Sequence, residues 1–239
     1  MTELPLFDDS GVHNVLCVVA HPDDMEYGAS AAVARWTDRG ARVTYLLLTA
    51  GEAGIRDEDP SVVSPLRKQE QAGACRAVGV ADLRFLNLPD GMLEHTLDTR
   101  KRIARVIREV KPDTLVTSNW DAVAPWGPNQ ADHRVAGLAT LDAARDADNP
   151  WVFPELVTEE GLQPWGADRL IVAGVVPEQG IELSEQNLEA AVASLECHRQ
   201  YLAALGDHPA PREMITELTR DAGRAAGVGY ALGVRVYPL

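Results

Sequence analysis

The sequence predicts an α/β fold with a Rossmann-like, doubly wound and mostly parallel sheet that carries helices on both faces. Four short apolar runs alternate with three helical segments between residues 14 and 117, as in consecutive β-α-β units. The first run, residues 14–20, is almost wholly apolar, which is typical of a parallel strand buried on both faces. No internal repeat or linker interrupts the 239 residues. We therefore expect one domain over residues 1–239.

The first β-α-β unit is expected over residues 14–48. Strand 14–20 leads into an Ala-rich helix over residues 28–38. Gly40 closes that helix, because glycine is favoured at helix C-caps. The second strand is expected over residues 42–48, and a right-handed crossover should make it parallel to the first.

The middle of the chain continues the alternation. Residues 50–65 are rich in Gly, Asp, Pro and Ser and predict a long loop, a feature that is often functional. A helix over 66–78, a strand over 83–86, a helix over 97–110 and a strand over 114–117 follow. The 97–110 helix is amphipathic, with an apolar face and a charged remainder to which we assign Arg100, Lys101, Arg105, Arg108 and Lys111.

The last part of the chain has a less regular pattern. We expect a loop that ends at Asn129 and then, in chain order, a helix over 132–144, a strand over 170–176, helices over 184–205 and 212–226, and a strand over 229–237.

Composition restricts the partners and the compartment. A formal charge of −14 argues against nucleic acid or an anionic membrane as partner. The chain opens without a basic, apolar leader and has no apolar run near the ~20 residues of a membrane span. Three widely spaced cysteines, Cys17, Cys75 and Cys197, suit reduced thiols. We expect a cytoplasmic protein, and the sequence leaves both a monomer and a homo-oligomer open.

His21, Asp23 and Asp24 follow the first strand directly. Ligands bind beyond the carboxyl ends of parallel strands, and imidazole and carboxylate groups suit zinc and other divalent metals. A third ligand must come from elsewhere, and His133 is the best candidate. The alternative is a turn with a capped helix start, where Asp is also favoured. The position of these residues at the end of a strand favours a metal site over a simple turn.

The residues Ala20-His21-Pro22-Asp23-Asp24-Met25-Glu26-Tyr27-Gly28 resemble the opening signature of the LmbE-like zinc N-deacetylases, the superfamily of the PIG-L (GlcNAc-phosphatidylinositol) de-N-acetylases. Further blocks look like those of the family and follow its order: residues 48–54, Arg67 with Glu70, residues 88–91 and residues 132–134. The resemblance is dense over residues 14–154 and thinner afterwards.

This resemblance implies that His21, Asp24 and His133 bind Zn²⁺ and that Asp23 is the general base. Three protein ligands leave a fourth position for water, as in catalytic zinc sites. A nitrogen-oxygen set also accepts other divalent metals. Asp132 is a candidate to orient a ligating imidazole. The implied reaction is hydrolysis of the N-acetyl group of a small-molecule amino sugar or sugar conjugate.

Arg67 and Asp90 match positions where relatives hold sugar groups. The alternatives are a surface salt bridge for Arg67 and simple turn chemistry for Asp90. Gln130 stands where several relatives carry a histidine that stabilises the oxyanion or protonates the leaving amine. A glutamine amide donates a hydrogen bond but does not titrate, so we expect Gln130 to be the oxyanion donor and Asp23 to carry the protons. His198 is a second candidate for that role.

Other functions compete with the leading one. The chain could be an amidase for a thiol conjugate or a glycosylated secondary metabolite. A nucleotide-binding module is disfavoured, because no strand-helix junction carries Gly-x-Gly-x-x-Gly or Gly-x-x-x-x-Gly-Lys-Ser/Thr. A catalytically silent sugar-binding relative stays open, because Gln130 replaces the histidine.

Overall fold

The computed structural model describes residues 3–239. Its strands are β1 (Asn14–Val19), β2 (Arg42–Leu47), β3 (Asp82–Phe85), β4 (Thr114–Ser118), β5 (Val123–Ala124), β6 (Gly127–Pro128), β7 (Arg169–Ala173), β8 (Gln179–Leu183) and β9 (Tyr230–Pro238). Its helices are α1 (Asp24–Gly28), α2 (Ser30–Asp38), α3 (Pro60–Ala77), α4 (Leu97–Val110), α5 (Ala131–Asp148), α6 (Glu155–Thr158), α7 (Glu185–Leu195), α8 (Arg199–Ala204) and α9 (Pro211–Ala226).

Seven strands form one sheet in the order β3-β2-β1-β4-β7-β9-β8. The pairs from β3 through to β7 are parallel, and β9 lies antiparallel between β7 and β8. β5 and β6 form a separate small hairpin. The predicted doubly wound, mostly parallel sheet is confirmed. β8 was not predicted.

β1 lies at the centre of the sheet and is buried on both faces. Val15, Cys17 and Val19 pack on the face that carries α2 and α3. Leu16 and Val18 pack on the opposite face, against α4 and α5. This alternation explains the continuous apolar run, because both sets of side chains enter a core.

The first predicted helix differs from the structure. Instead of one helix from Gly28, α1 begins at Asp24 and is separated from α2 by Ala29, whose φ of −143° interrupts the helix. The side chain of Asp24 is thereby placed at the start of a helix, next to His21.

The predicted loop over residues 50–65 is shorter than expected, because α3 begins at Pro60. The Asp59 carboxylate caps α3 by accepting a hydrogen bond from the backbone N–H of Ser61 at 2.8 Å. Pro60 occupies the first turn, where its missing N–H leaves no helical hydrogen bond unmade. The prolines that suggest a loop are therefore compatible with a helix start.

The bounds predicted for α4 agree with the structure, but Arg108 was wrongly assigned to the exposed face. Its side chain is fully buried and donates to the backbone oxygens of Ala147 at 3.0 Å and Asn149 at 2.9 Å. Arg108 therefore satisfies carbonyl groups at the end of α5, where no intrahelical donor is available.

The predicted 184–205 helix consists of two helices, α7 and α8. A capping box between Ser184 and Asn187 starts α7. The break between the two helices places His198 at the N-cap of α8. Within residues 3–239, no helix combines the length and the apolar character that crossing a membrane requires.

Candidate active site

The candidate site lies where the strand order reverses, at the carboxyl ends of β1 and β4. These strands are parallel neighbours, so the loop after β1 meets the segment that joins β4 to α5. His21 comes from the first loop, and Asp132 and His133 lie in the first turn of α5. Such a switch point is the usual ligand crevice of an open α/β sheet.

His21, Asp24 and His133 bring one potential metal-binding atom each within 4.8 Å of one another. Oδ1 of Asp24 lies 3.1 Å from Nε2 of His133 and 3.7 Å from Nδ1 of His21. Oδ2 of Asp24 instead accepts the backbone N–H of His21 at 2.9 Å. One carboxylate oxygen and two imidazole nitrogens thus face a common point.

Each imidazole is held at its other nitrogen. Nε2 of His21 lies 3.0 Å from Oδ1 of Asp90 and 3.2 Å from Oδ2 of Asp132. Carboxylates only accept hydrogen bonds, so Nε2 carries the proton. Nδ1 of His133 lies 3.2 Å from Oδ1 of Asn129, whose Nδ2 donates to the backbone oxygen of Asn119 at 2.7 Å. Partners of this kind fix the tautomer and the orientation of metal-binding histidines.

His21, Asp90 and Asp132 form a second set of potential ligands. Their carboxylates are already engaged by backbone N–H groups: Asp132 accepts from Gly91 at 2.7 Å and Leu93 at 3.1 Å, and Asp90 accepts from Ala53 at 2.8 Å. This set therefore orients His21, and the first set is the better fit to a divalent cation.

The electrostatics of the cluster favour a positive charge. Burial works against the protonated form of His133, but the neighbouring Asp24 carboxylate raises its pKa above the ordinary histidine value. Two nitrogen donors and a carboxylate oxygen in this field match the donor chemistry of zinc and related divalent metals.

Asp23 lies beside the cluster in a left-handed backbone conformation, with φ at 88°. Non-glycine residues rarely adopt this region, and such strain concentrates at functional sites. Its backbone N–H donates to Oε1 of Gln71 at 3.0 Å. Burial raises the pKa of Asp23 to about 6, although the Arg67 charge opposes that rise. A carboxyl group with such a pKa can take and return a proton near neutral pH.

Arg67 is 2 % exposed and lies on the buried side of α3. Nη2 donates to Oδ2 of Asp23 at 2.9 Å and to the backbone oxygen of Pro22 at 2.6 Å. Its guanidinium lies 3.7 Å from the centre of the Tyr201 ring. Neither Arg67 nor Asp90 projects freely toward solvent, and their role as sugar contacts stays a prediction.

Gln130 is not brought into the cluster. Gln130 is exposed at the N-cap of α5, and its side chain makes no capping hydrogen bond. Asn129, one position earlier, is buried and contacts His133 instead. The role of Gln130 as an oxyanion donor stays a prediction.

A buried polar layer lies behind Asp23. Gln71 bridges the backbone of Asp23 and the Glu26 carboxylate, and Ser194 donates to Glu26 at 3.0 Å. His198 is fully buried, with Nε2 at 3.4 Å from Oε2 of Glu26 but without hydrogen-bond geometry at either ring nitrogen. His198 therefore lies behind the cluster. The roles of Gln71, Asn129 and Ser194 could not be predicted from the sequence, because isolated polar residues in helices and loops give no signal.

Comparison with known proteins supports the resemblance that the sequence motifs indicate. Residues 16–144 match the family described as PIG-L, GlcNAc-PI de-N-acetylase. A diacetylchitobiose deacetylase from Thermococcus kodakarensis is 34% identical over 143 residues, which cover 58% of this chain and 52% of that protein. A 1D-myo-inositol 2-acetamido-2-deoxy-alpha-D-glucopyranoside deacetylase from Streptomyces scabiei is 33% identical over 175 residues, covering 58% and 53%. The matched part thus spans about half the length of these relatives.

The fold agrees over nearly the whole chain with a solved structure. The N,N'-diacetylchitobiose deacetylase from Pyrococcus horikoshii superposes with a TM-score of 0.85, covering 96% of this chain and 85% of that chain. Sequence identity in this comparison is 22%, so it establishes the architecture.

Proposed function

The chain belongs to the PIG-L, GlcNAc-PI de-N-acetylase family, and from that membership we propose that it is a metal-dependent hydrolase that removes an N-acetyl or other N-acyl group from an amino sugar or sugar conjugate. The observation that carries this proposal is the convergence of His21, Asp24 and His133 on one point beside Asp23. The relatives named above, by their own names, deacetylate N-acetylated sugars.

In this proposal His21, Asp24 and His133 hold the metal, with Zn²⁺ as the first expectation and other divalent metals compatible with the same donors. A bound divalent metal supplies a water of lowered pKa and polarises the amide carbonyl. Asp90, Asp132 and Asn129 keep the two imidazoles in the required tautomers.

Asp23 carries the protons. Its carboxylate accepts a proton from the attacking water and then delivers it to the departing amine, so that amide and water become carboxylic acid and amine. The Arg67 guanidinium opposes the rise in the pKa of Asp23, and so stabilises the carboxylate form that accepts the proton from water. Gln130 is retained as the proposed donor to the developing oxyanion, and loss of such a donor typically costs ~10²–10³-fold in turnover.

The setting of the reaction is also proposed. Three free cysteines and a charge of −14 support a small-molecule substrate in a reducing cytoplasm. An amidase for a thiol conjugate or a glycosylated secondary metabolite would use the same catalytic residues. A screen of N-acylated substrates by free-amine detection, with and without chelator, distinguishes these substrates.

The first experiment measures metal content and amine release together. Wild type should hold one divalent metal per chain and release amine in a chelator-sensitive reaction, whereas His21→Ala should lose both. His95→Ala is the matched control, because His95 lies at the surface and pairs with Asp142. Equal metal content in wild type and His21→Ala would contradict the ligand assignment.

Asp23→Asn separates metal binding from proton transfer. The substitution keeps the shape of the side chain, so metal content should not change, while turnover should fall ~10²–10⁴-fold. Turnover within a few-fold of wild type would mean that another group is the base.

A further inference from the structure

The candidate metal cluster forms part of the wall of a cavity of about 1170 Å³. Asp24, Asn129 and His133 lie in that wall. Small-molecule pockets usually measure ~300–1,000 Å³, so this cavity has room for far more than an acetyl group. The rest of the wall is built mainly by the α1–α2 junction over residues 26–31, the β5–β6 hairpin, the segment after β7 and α9. Its large apolar side chains include Trp126, Val175, Val176, Met214, Ile215 and Leu218.

The rim of this cavity leaves large apolar side chains exposed. Trp126, Val176 and Leu218 are 63%, 65% and 58% exposed. The indole of Trp126 lies against Gly174, where an added Cβ would come within 2.9 Å of the ring. Glycine at this position, with φ at +69°, therefore lets the ring close over the end of β7. Grouped exposed apolar side chains beside a pocket typically mark a binding surface.

Several polar side chains in the cavity wall are already engaged by other protein groups. Asn119 donates to the backbone oxygen of Gly174 at 3.0 Å, and Thr219 donates to that of Ile215 at 2.7 Å. Glu178 pairs with Arg235 at 3.2 Å. Sugar hydroxyls placed beside these three side chains would lose water and find hydrogen-bond partners that are already engaged, which is costly. The chemistry of the wall therefore suits an apolar occupant.

The two sides of the cluster differ in polarity. The cavity lies on the β7 and β9 side of the cluster. On the other side, the loops after β2 and β3 reach the cluster through the Ala53 and Gly91 backbone N–H groups, and they expose polar residues such as Arg56, Asp57 and Glu94. A sugar amine fits the polar side, and the acyl group of the same amide then points into the apolar cavity.

We propose that this cavity binds the acyl chain of the substrate, so that the preferred substrate is an amide with a medium-length aliphatic acyl group. This inference rests on the proposed deacylase function and deepens it. The reaction is unchanged: water cleaves the C–N bond and yields a fatty acid and a free amine.

The test compares kcat/KM of the zinc-loaded protein on N-acetyl-, N-butanoyl- and N-octanoylglucosamine and on octyl N-acetylglucosaminide. Each buried methylene should raise kcat/KM about two- to fourfold. The octanoyl substrate has six more methylenes than the acetyl substrate, so its kcat/KM should be about 60- to 4,000-fold higher. Leu218→Glu and Val176→Glu should collapse that ratio. Leu97→Glu is the matched control, because Leu97 is exposed at the start of α4, and it should keep the wild-type ratio.

A binding measurement keeps the inference testable without turnover. The neutral dye N-phenyl-1-naphthylamine should fluoresce on binding wild type and be displaced by octanoate at far lower concentration than by acetate, and Leu218→Glu should bind it poorly. Equal kcat/KM on every substrate would overturn the assignment of the cavity to the acyl chain. So would a higher kcat/KM for the octyl glycoside alone.

The remaining outcomes separate this inference from the proposed function. Absence of amine release from all substrates, with octanoate still displacing the dye, would reject the deacylase and leave the apolar binding site. A different result would overturn the inference: wild type does not bind the dye, and light scattering shows a wild-type dimer but a Leu218→Glu monomer. In that case a second copy of the chain covers the cavity.

Discussion

Both ring nitrogens of His21 have carboxylate neighbours, and these neighbours give the two nitrogens different roles. Asp90 and Asp132 accept from Nε2, which leaves Nδ1 facing Asp24. Asn129 does the same for His133 from the other side of the cluster. Asp132 was expected to orient an imidazole, whereas Asp90 was expected to contact sugar and Asn129 had no expected role. Together these three residues determine which nitrogen each imidazole presents to a cation.

The buried pair of Arg67 and Asp23 gives a prediction about pH. A base must be deprotonated, so activity falls as pH drops through the pKa of Asp23, which burial raises to about 6. Removing the Arg67 charge removes an interaction that favours the carboxylate. Arg67→Met should therefore move the acid limb of kcat/KM to higher pH, by roughly one unit or more.

The control for this experiment is Lys68→Met, which removes a positive charge one position away that pairs with Asn87 outside the cluster. Its acid limb should match wild type. A higher KM for Arg67→Met with an unmoved acid limb would instead support the sugar-contact role that the sequence suggests.

The residues of the candidate site could be predicted from the sequence to different extents. His21, Asp24 and His133 follow β1 and β4, and apolar patterning alone identifies those strands. The inward orientation of Arg67 could not be predicted, because a helix pattern does not show which side of α3 meets the Pro22 backbone. The exposure of Gln130 follows from the turn between β6 and α5, which no local pattern predicts.

At the level of elements, local signals predicted some bounds well. α4 has a strong apolar stripe and a Thr96 cap, so its ends were predicted correctly. β8 was missed, because Gln179-Gly180-Ile181-Glu182-Leu183 is only weakly apolar and its strand conformation depends on pairing with β9. The break at Ala29 was also missed, since alanine favours helix and the interruption is set by the chain around Asp24.

Arg108 and Arg105 provide a matched test of how α4 and α5 are joined. Arg108 is buried and holds backbone oxygens at the end of α5, whereas Arg105 forms a half-exposed pair with Glu160. Arg108→Met leaves those oxygens unpaired and should lower the free energy of unfolding by ~1–3 kcal/mol. Arg105→Met should cost ~0–1 kcal/mol. Urea denaturation measures both, and equal costs would contradict the role assigned to Arg108.

The whole molecule is built around one continuous sheet. The parallel half, β3 to β7, contains the candidate metal cluster, and β9 pairs with both β7 and β8 to bring the last part of the chain into the same sheet. Two apolar cores cover its faces, and one of them joins Val15 of β1 to Val234 of β9. This continuity supports the prediction of one domain over residues 1–239, which the sequence makes from the lack of a linker.

One domain implies one cooperative unfolding transition. Val234→Ala removes buried methyl groups from β9 and should cost ~1–3 kcal/mol, and Arg108→Met acts at the α4–α5 contact. In a single cooperative unit, each substitution shifts the same transition to lower urea with an unchanged m-value, whether far-UV circular dichroism or tryptophan fluorescence is followed. Tryptophan fluorescence samples different parts of the sheet, because Trp36 of α2 is buried in the core and Trp165 is half-buried near β7. If Val234→Ala moved one transition and Arg108→Met moved a second, the C-terminal part would unfold separately, and the chain would be two domains that share a sheet edge.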